Sequence, residues 1–335
     1  KRNPMKAILS ITPGGPDTLQ LKDVDTPMPG PEEVRIRVRA CGVNYPDALI
    51  IEDKYQFRPD RPFSPGGEVA GEIDEIGEAV TNFKLGDRVI GYVGWGGMAE
   101  QVITTPEKCS LIPDGMEDAE AAAFMLTYGT SYHALKQRGQ LSEGETLLVL
   151  GAAGGVGLAA VELGKAMGAK VIAATSSEEK SALAVSKGAD IGIVYPKGPF
   201  DKVEAKELSQ LFKNAVGSNG ADVIYDAIGG SYAEASLRSI AWQGRFLVVG
   251  FPSGIPSIPL NLALLKGCQI AGVFWGAFTE KQPKDNAQNI QELYDYFAAK
   301  RIRPHVSAQY SLSESAQAIK DLSERRAMGK IIVTT

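Results

Sequence analysis

The strongest indication of the fold lies in residues 146–157, Thr146-Leu-Leu-Val-Leu-Gly-Ala-Ala-Gly-Gly-Val-Gly157. The apolar start of this stretch predicts a strand, and four glycines follow within seven residues, before a predicted helix over 157–167. Glycines permit a tight turn and let the backbone approach a pyrophosphate, whose charge is stabilised by the helix N-terminus. We therefore predict a dinucleotide site at Gly154, Gly155 and Val156, the alternative being a packing turn without ligand. No Gly-Lys-Ser/Thr follows, which disfavours a nucleoside triphosphatase.

The pattern around this stretch repeats. Short apolar strands are predicted over 171–174, 191–194, 223–225, 246–249 and 269–274, alternating with helices over 178–187, 203–216 and 233–241. Such alternation is typical of a parallel sheet covered on both faces. A further amphipathic helix is predicted from Glu120 to near Gly139. We predict an α/β fold of the Rossmann type, a doubly wound parallel sheet in residues 127–277.

The rest of the chain is predicted to be rich in β-structure. Residues 34–40 alternate apolar side chains with Arg35, Arg37 and Arg39, as a half-buried strand does. A helical stripe over 290–297 and a strand over 330–334 follow at the other end. Residues 1–126 and 278–335 are thus expected to form a second, β-rich domain.

Composition narrows the classes of function. The 335 residues include 35 Lys and Arg against 40 Asp and Glu, a net charge of −5, so neither nucleic acid nor an anionic membrane is an expected partner. Two histidines and three cysteines exclude a multi-histidine metal site and a disulfide framework. We expect a cytoplasmic protein with no membrane span. The three arginines on one strand face leave RNA binding open as an alternative.

The end of the second strand indicates which dinucleotide binds. An acidic residue there would bind the ribose 2′-hydroxyl of NAD, but this strand ends in Thr175-Ser176-Ser177. Ser176 and Lys180 can instead bind a 2′-phosphate, which favours NADPH although Glu178 and Glu179 oppose it. Ser176 and Glu179 also fit a helix capping box, and both roles can hold because a cap residue still lies beside the ribose site.

The chain also carries motifs of a known family. These are Gly42-Val-Asn44-Tyr-Pro-Asp47, Pro65-Gly-Gly67-Glu68-Val-Ala-Gly71, Gly86-Asp-Arg-Val89, Tyr128-Gly-Thr130-Ser-Tyr132 and the stretch from Leu237 to Phe251. They resemble the zinc-free quinone oxidoreductase branch of the medium-chain dehydrogenase/reductase superfamily. The resemblance implies a GroES-like catalytic domain beside the Rossmann domain, and a homodimer paired through the strand over 269–274.

Zinc-dependent members of the superfamily carry a cysteine at the position of Asn44 and a histidine at that of Gly67. Without zinc no Lewis acid polarises a carbonyl or alcohol oxygen, so the substrate must be activated by its own conjugation. The resemblance thus implies hydride transfer from NADPH to a quinone. The alternatives are reduction of an α,β-unsaturated carbonyl or enoyl thioester, or a non-catalytic nucleotide- or RNA-binding role.

The same resemblance assigns residues to the site. Asn44 and Thr130 are expected near the nicotinamide, with Asn44 bonding a ribose hydroxyl or the carbonyl of the acceptor. Tyr195 is expected to join Ser176 and Lys180, and Tyr55 is a candidate general acid or a loop aromatic over the site. Lys330 is expected on the pyrophosphate, unless it is a surface lysine. The residues expected to wall the cofactor, unless they are core, are Phe251, Phe274 and Trp275.

Overall fold

The computed structural model describes residues 4–335. The strands are β1 (Pro4–Leu9), β2 (Gln20–Asp25), β3 (Val34–Val43), β4 (Glu68–Ile76), β5 (Arg88–Tyr92), β6 (Gln101–Thr104), β7 (Cys109–Leu111), β8 (Thr146–Leu150), β9 (Lys170–Thr175), β10 (Ile191–Val194), β11 (Ala221–Asp226), β12 (Ile240–Val248), β13 (Gln269–Gly272), β14 (Val306–Ser311) and β15 (Lys330–Thr334). The helices are α1 (Tyr45–Ile50), α2 (Asp118–Ala122), α3 (Met125–His133), α4 (Gly155–Ala166), α5 (Glu178–Ser186), α6 (Lys202–Val216), α7 (Gly230–Leu237), α8 (Asn261–Lys266), α9 (Trp275–Lys281), α10 (Pro283–Ala298) and α11 (Ser315–Ser323).

The chain divides into two compact units, the first made of residues up to Leu126 together with Pro304–Thr335, the second of Thr127–Arg303. The sequence analysis predicted that the second unit ends at residue 277, which is earlier than the observed boundary after Arg303. The structure corrects this because α10 packs within the second unit, where Asn289 and Glu292 accept hydrogen bonds from Lys136 on the π-helical turn that follows α3. Leu293 of the same helix is fully buried.

The first unit is built on a seven-stranded mixed sheet in the order β14-β15-β3-β4-β5-β7, with β6 pairing to β3. A separate antiparallel pair is formed by β1 and β2. The predicted alternation on β3 is confirmed, since Val34, Ile36 and Val38 are buried while Arg37 and Arg39 are exposed. This unit is the β-rich domain that the sequence predicted.

The second unit holds a six-stranded parallel sheet in the order β10-β9-β8-β11-β12-β13. Residues 147–150 of β8 are completely buried, as expected for a strand with both faces covered. The chain proceeds outward from β8 through β9 and β10 and then returns to β11 on the other side. Ligands of doubly wound sheets bind at the carboxyl edge of such a switch point, so β8 and β11 locate the candidate site. The Rossmann-type prediction is confirmed.

Two predicted helices end differently in the structure. The sequence predicted a single helix from Glu120 to near Gly139. In the structure this helix is broken after Ala122 and a new helix begins at Met125. The break is stabilised by the Glu68 carboxylate, which accepts the backbone N–H of Leu126 (2.8 Å) and so caps the new helix. The helix expected over 233–241 ends at Leu237, since Ile240 pairs with Ala221 and begins β12. Within residues 4–335 no helix is long and apolar enough to cross a membrane.

Candidate functional site

The glycine turn lies at the carboxyl end of β8, as predicted. Gly151 has a φ of +71°, and Gly154 is the N-cap of α4 with an extended backbone. A Cβ on Gly157 would lie 2.0 Å from the Gly151 carbonyl oxygen, so the helix can approach the turn this closely only with glycine there. The first turn of α4 carries no acidic residue. The backbone N–H groups of Gly155 and Val156 therefore stand at a helix N-terminus suited to an anion.

Ser176 and Lys180 lie together at the end of β9. The Lys180 ammonium donates to the Ser176 hydroxyl at 3.2 Å. The capping alternative for Ser176 is wrong, because the N-cap of α5 is Ser177, whose hydroxyl accepts the Lys180 backbone N–H. The structure thus leaves a serine hydroxyl and an ammonium side by side where the sequence placed a 2′-phosphate.

Tyr195 follows β10, the neighbour of β9. Its backbone N–H donates to the carbonyl of Thr175, which fixes it beside Ser176 along the sheet edge. Its ring is buried and packs against Tyr232, with 4.8 Å between the ring centroids. The structure therefore brings Tyr195 to the same edge as Ser176 and Lys180.

Of the three aromatic residues predicted to line the cofactor site, two are exposed and one is buried. Phe251 and Phe274 are 41% and 51% exposed, so the core alternative is wrong for both. Trp275 is buried, and a Cβ on Gly129 would come within 2.7 Å of its indole. Trp275 therefore packs on α3 next to the residue that precedes Thr130.

A buried polar cluster in the first unit surrounds Asn44, the N-cap of α1. The Lys330 ammonium donates to Asn44 Oδ1 at 2.5 Å, and Asn44 Nδ2 donates to Glu68 Oε2 at 3.1 Å. The Asp47 carboxylate accepts the backbone N–H groups of Asn44 (2.8 Å) and Gly66 (3.1 Å). We call Asn44, Asp47, Glu68 and Lys330 the Asn44 cluster. Each of its members is at most 6% exposed.

The cluster corrects one alternative and adds two residues. Lys330 is not a surface lysine, because β15 lies inside the sheet and its side chain points at Asn44 and at Glu68, 3.7 Å away. Glu68 and Asp47 both lie in the family motifs, but no role was predicted for either. Glu68 is followed directly by the apolar and small residues 69–71, and this was the available signal for a buried carboxylate.

Burial dominates the electrostatics of the cluster. It raises the pKa of Asp47 to about 6, against backbone hydrogen bonds and the Lys330 charge that lower it. It also raises the pKa of Glu68 and lowers that of Lys330. For Tyr55, partial burial and then the Asp47 charge raise the phenol pKa. Tyr55 is therefore a protonated phenol at neutral pH, lying edge-on to Phe57.

Asp226 was not singled out by sequence reasoning. It ends β11, and its carboxylate accepts the N–H groups of Ile228 and Gly229, both at 2.9 Å. Burial raises its pKa to about 6. Asp226 shapes the loop beside the glycine turn, at the switch point of the sheet.

Two further features of the first unit bear on metal and RNA binding. Cys41, three residues before Asn44, is a fully buried residue of β3. The arginines of β3 do not form an open basic patch, because Arg35 pairs with Asp74 (2.8 Å), Arg37 with Asp74 (3.6 Å) and Arg39 with Glu72 (3.3 Å). In the described part of the chain, no group of three or more His, Cys, Asp or Glu is arranged to hold a metal ion.

The buried Asp47 predicts a pH dependence of stability. Its folded pKa lies above the ordinary value of 3.8, so the folded state holds the proton more tightly than the unfolded chain. The stability that this gives is present in full below about pH 4 and is lost as pH rises through about 6. Relative to the wild type, Asp47→Asn should gain about 2 kcal/mol of unfolding free energy between pH 4 and pH 7, measured by urea denaturation. Asp60→Asn, at an exposed carboxyl, is the control, and a difference independent of pH would contradict the assignment.

Comparisons with known proteins identify the family to which this fold and these motifs belong. The alcohol dehydrogenase GroES-like domain matches residues 30–114, and the zinc-binding dehydrogenase domain matches residues 155–293. Quinone oxidoreductase-like protein 2 of Bos taurus is 38% identical over 312 residues, which cover 92% of this chain and 87% of that protein. The quinone oxidoreductase of Pseudomonas aeruginosa is 34% identical over 324 residues, covering 96% of each.

A similar solved structure is that of the Escherichia coli quinone oxidoreductase complexed with NADPH. It has a TM-score of 0.89 and 26% sequence identity, covering 98% of this chain and 100% of that one. Fold, motifs and relatives agree over nearly the whole chain. The chain therefore belongs to the quinone oxidoreductase branch of the medium-chain dehydrogenase/reductase superfamily, a family of oxidoreductases.

Proposed function

We propose that this protein is an NADPH-dependent, zinc-independent oxidoreductase that transfers hydride to a quinone. The observation that carries the choice of cofactor is the 3.2 Å contact between Lys180 Nζ and Ser176 Oγ at the end of β9. A hydroxyl and an ammonium at this position fit a 2′-phosphate and offer no carboxylate to a free ribose 2′-hydroxyl. The E. coli and P. aeruginosa relatives, named quinone oxidoreductases, support the choice of substrate.

The residues fit a dinucleotide. The glycine turn admits a pyrophosphate at the N-terminus of α4, because no Cβ stands between Gly151 and Gly157. NADPH, when bound, supplies the hydride. The protein would bind and orient it through Gly154, Gly155 and Val156, hold the 2′-phosphate with Ser176, Lys180 and Tyr195, and exclude water with Phe251, Phe274 and Trp275. Thr130 would lie at the nicotinamide.

Zinc independence is supported by the residues at the two ligand positions. Asn44 offers a carboxamide in place of a thiolate, and that carboxamide is bonded to Lys330 and Glu68. At Gly67 a Cβ would lie 2.9 Å from the carbonyl oxygen of Gly94, so the backbone leaves no room for a histidine. Without a Lewis acid, an acceptor activated by conjugation is the appropriate substrate.

Reduction of an enone or enoyl thioester is the second candidate, and Tyr55 favours it. Its phenol is half-buried, is protonated at neutral pH and could donate a proton to the α-carbon after hydride reaches the β-carbon. A quinone needs no such donor, because the reduced anion takes its proton from water.

A substrate panel tests the proposal. With NADPH, we expect oxidation by quinones, and Tyr55→Phe should leave this rate within about twofold while lowering enoyl thioester reduction by about 10²-fold or more if that activity exists. NADPH absorbance at 340 nm would follow the reaction. If no quinone, enone or enoyl thioester oxidises NADPH, the proposed activity is wrong. Oxidation by enoyl thioesters alone would establish the second candidate.

The cofactor assignment has a separate test. Lys180→Ala should raise the Michaelis constant for NADPH about tenfold or more, since a charge-assisted contact to phosphate is lost, and leave that for NADH nearly unchanged. Lys187→Ala, a change at the end of the same helix, is the matched control. An unaltered NADPH constant would count against the phosphate site.

We further propose a homodimer joined through β13. This strand ends the parallel sheet, and exposed apolar side chains surround it, with Leu260, Leu264, Leu265 and Trp242 between 65% and 78% exposed. A second copy related by a two-fold axis can pair its own β13 against this edge and cover these side chains.

Leu264→Glu should therefore convert the dimer to a monomer, because a charge would have to be buried in the interface. Multi-angle light scattering during gel filtration would give the mass. Val203→Glu, a change at an equally exposed position on α6, should leave the dimer intact. A monomeric wild type would refute the interface.

A further inference from the structure

The carboxylate of Asp226 fixes the loop that follows β11. Asp226 is buried, and its Oδ1 accepts the backbone N–H groups of Ile228 and Gly229, both at 2.9 Å. These two donors lie at the carboxyl edge of the sheet, where the chain leaves β11 for α7. A buried N–H group that loses its acceptor costs free energy, so the carboxylate favours one conformation of this loop.

Backbone hydrogen bonds join this loop to residues 249–254, which follow β12. The carbonyl of Ile228 accepts the N–H of Ser253 at 2.9 Å. The N–H of Gly230 donates to the carbonyl of Gly254 at 2.7 Å. A conformation imposed on the first loop is therefore imposed on the second loop as well.

Phe251, in the second loop, packs directly on Gly229. A Cβ on Gly229, whose φ is +71°, would lie 3.1 Å from Phe251 Cδ1 and 2.6 Å from the carbonyl oxygen of Gly254. Only glycine allows this approach. Phe251 nevertheless remains exposed. Asp226 thus controls, through one residue, the place of an aromatic ring that a ligand can contact.

The order of the strands indicates which half of a dinucleotide would reach Phe251. In the sheet, β9 lies on one side of β8 and its glycine turn, and β11 and β12 lie on the other side. A dinucleotide binds across such a switch point, with its pyrophosphate at the turn. With Ser176 and Lys180 after β9 holding the 2′-phosphate of the adenosine half, the nicotinamide half extends over β11 and β12.

We propose that Asp226 is a positioning residue for the nicotinamide half of NADPH. Its carboxylate holds the loops after β11 and β12 in the conformation that presents Phe251, so the cofactor does not have to order these loops when it binds. The inference rests on the proposed function. It gives a role in cofactor binding to a residue that does not itself contact the cofactor.

Two ligands separate the halves of the cofactor. NADPH would reach both sides of the glycine turn, whereas adenosine 2′,5′-bisphosphate would reach only the side of Ser176 and Lys180. Asp226→Ala should weaken NADPH binding about tenfold, because the cofactor must then order the loops, and should leave bisphosphate binding within about twofold. Isothermal titration calorimetry gives both dissociation constants. A merely structural role would weaken binding of both ligands alike.

Two variants serve as controls. Asp226→Asn keeps a carbonyl oxygen that can accept both N–H groups, so it should bind NADPH within about twofold of the wild type. Asp222, at the opposite end of the same strand, accepts the N–H of Thr146 at 2.8 Å. Asp222→Ala removes the same kind of hydrogen bond and should leave both dissociation constants unchanged.

Phe251 and Gly230 give independent measurements. Phe251→Ala should show the same selective loss for NADPH. Because Asp226 acts through Phe251, the double variant Asp226→Ala/Phe251→Ala should lose about tenfold in affinity and not about 100-fold, the product of two independent losses. Should Asp226→Ala fail to fold, Gly230→Ala should give the same selective loss, since its Cβ would lie 2.6 Å from the carbonyl oxygen of Ser253 and disturb the same two loops.

Four results would overturn the inference. One is an equal loss of affinity for NADPH and the bisphosphate in Asp226→Ala, and another is unchanged affinity for both. The third is a loss in Asp226→Asn as large as that in Asp226→Ala, which would make the charge responsible and not the hydrogen bonds. The fourth is a multiplied loss in the double variant. Failure of the proposed function is distinguishable from all of these, because the wild-type protein itself would then not bind NADPH.

Discussion

A carboxylate buried at the start of β4 constrains the whole first unit. Glu68 is fully buried, and a charged group removed from water must receive its hydrogen bonds from the protein. Its partners come from three separate parts of the chain: Asn44 before α1, Leu126 in the first turn of α3, and Lys330 at the start of β15. Burying Glu68 thus fixes the place where a predicted single helix breaks, and it fixes the direction of the side chain that stands at a zinc-ligand position.

The second unit depends on a different constraint, the absence of side chains at the glycines of the turn after β8. Parallel strands bring their carboxyl ends to one edge, and the glycine turn keeps that edge open by letting α4 approach Gly151. The groups that could hold a cofactor then follow from adjacency in the sheet. Ser176 ends β9, Tyr195 follows β10, and Asp226 ends β11 on the other side of β8. Sequence order separates these residues, and the strand order brings them to one edge.

The proposed chemistry is consistent both with the buried polar cluster around Glu68 and with the open glycine turn. The Asn44 carboxamide is bonded to Lys330, Glu68 and the carbonyl of Gly42, which makes it a poor substitute for a metal ligand. The basic strand that kept RNA binding open is matched by Asp74 and Glu72, so its charge does not form an open anion site. Hydride transfer from a bound dinucleotide to an acceptor activated by conjugation is the function most consistent with these features.

Sequence patterns alone were sufficient to predict the Rossmann-type unit, the β-rich unit, the family and the position of the glycine turn. Each rests on local pattern, since alternation, apolar runs and glycine spacing express backbone geometry over a few residues. The sequence also placed Ser176 and Lys180, because both follow one strand directly. The folded chain was needed to show that Lys330 is buried against Asn44, that Ser177 and not Ser176 caps α5, and that Glu68 caps α3. Residues 44, 68 and 330 are far apart in the chain, and sequence periodicity does not report which side chains satisfy a buried charge. That depends on which strands become neighbours.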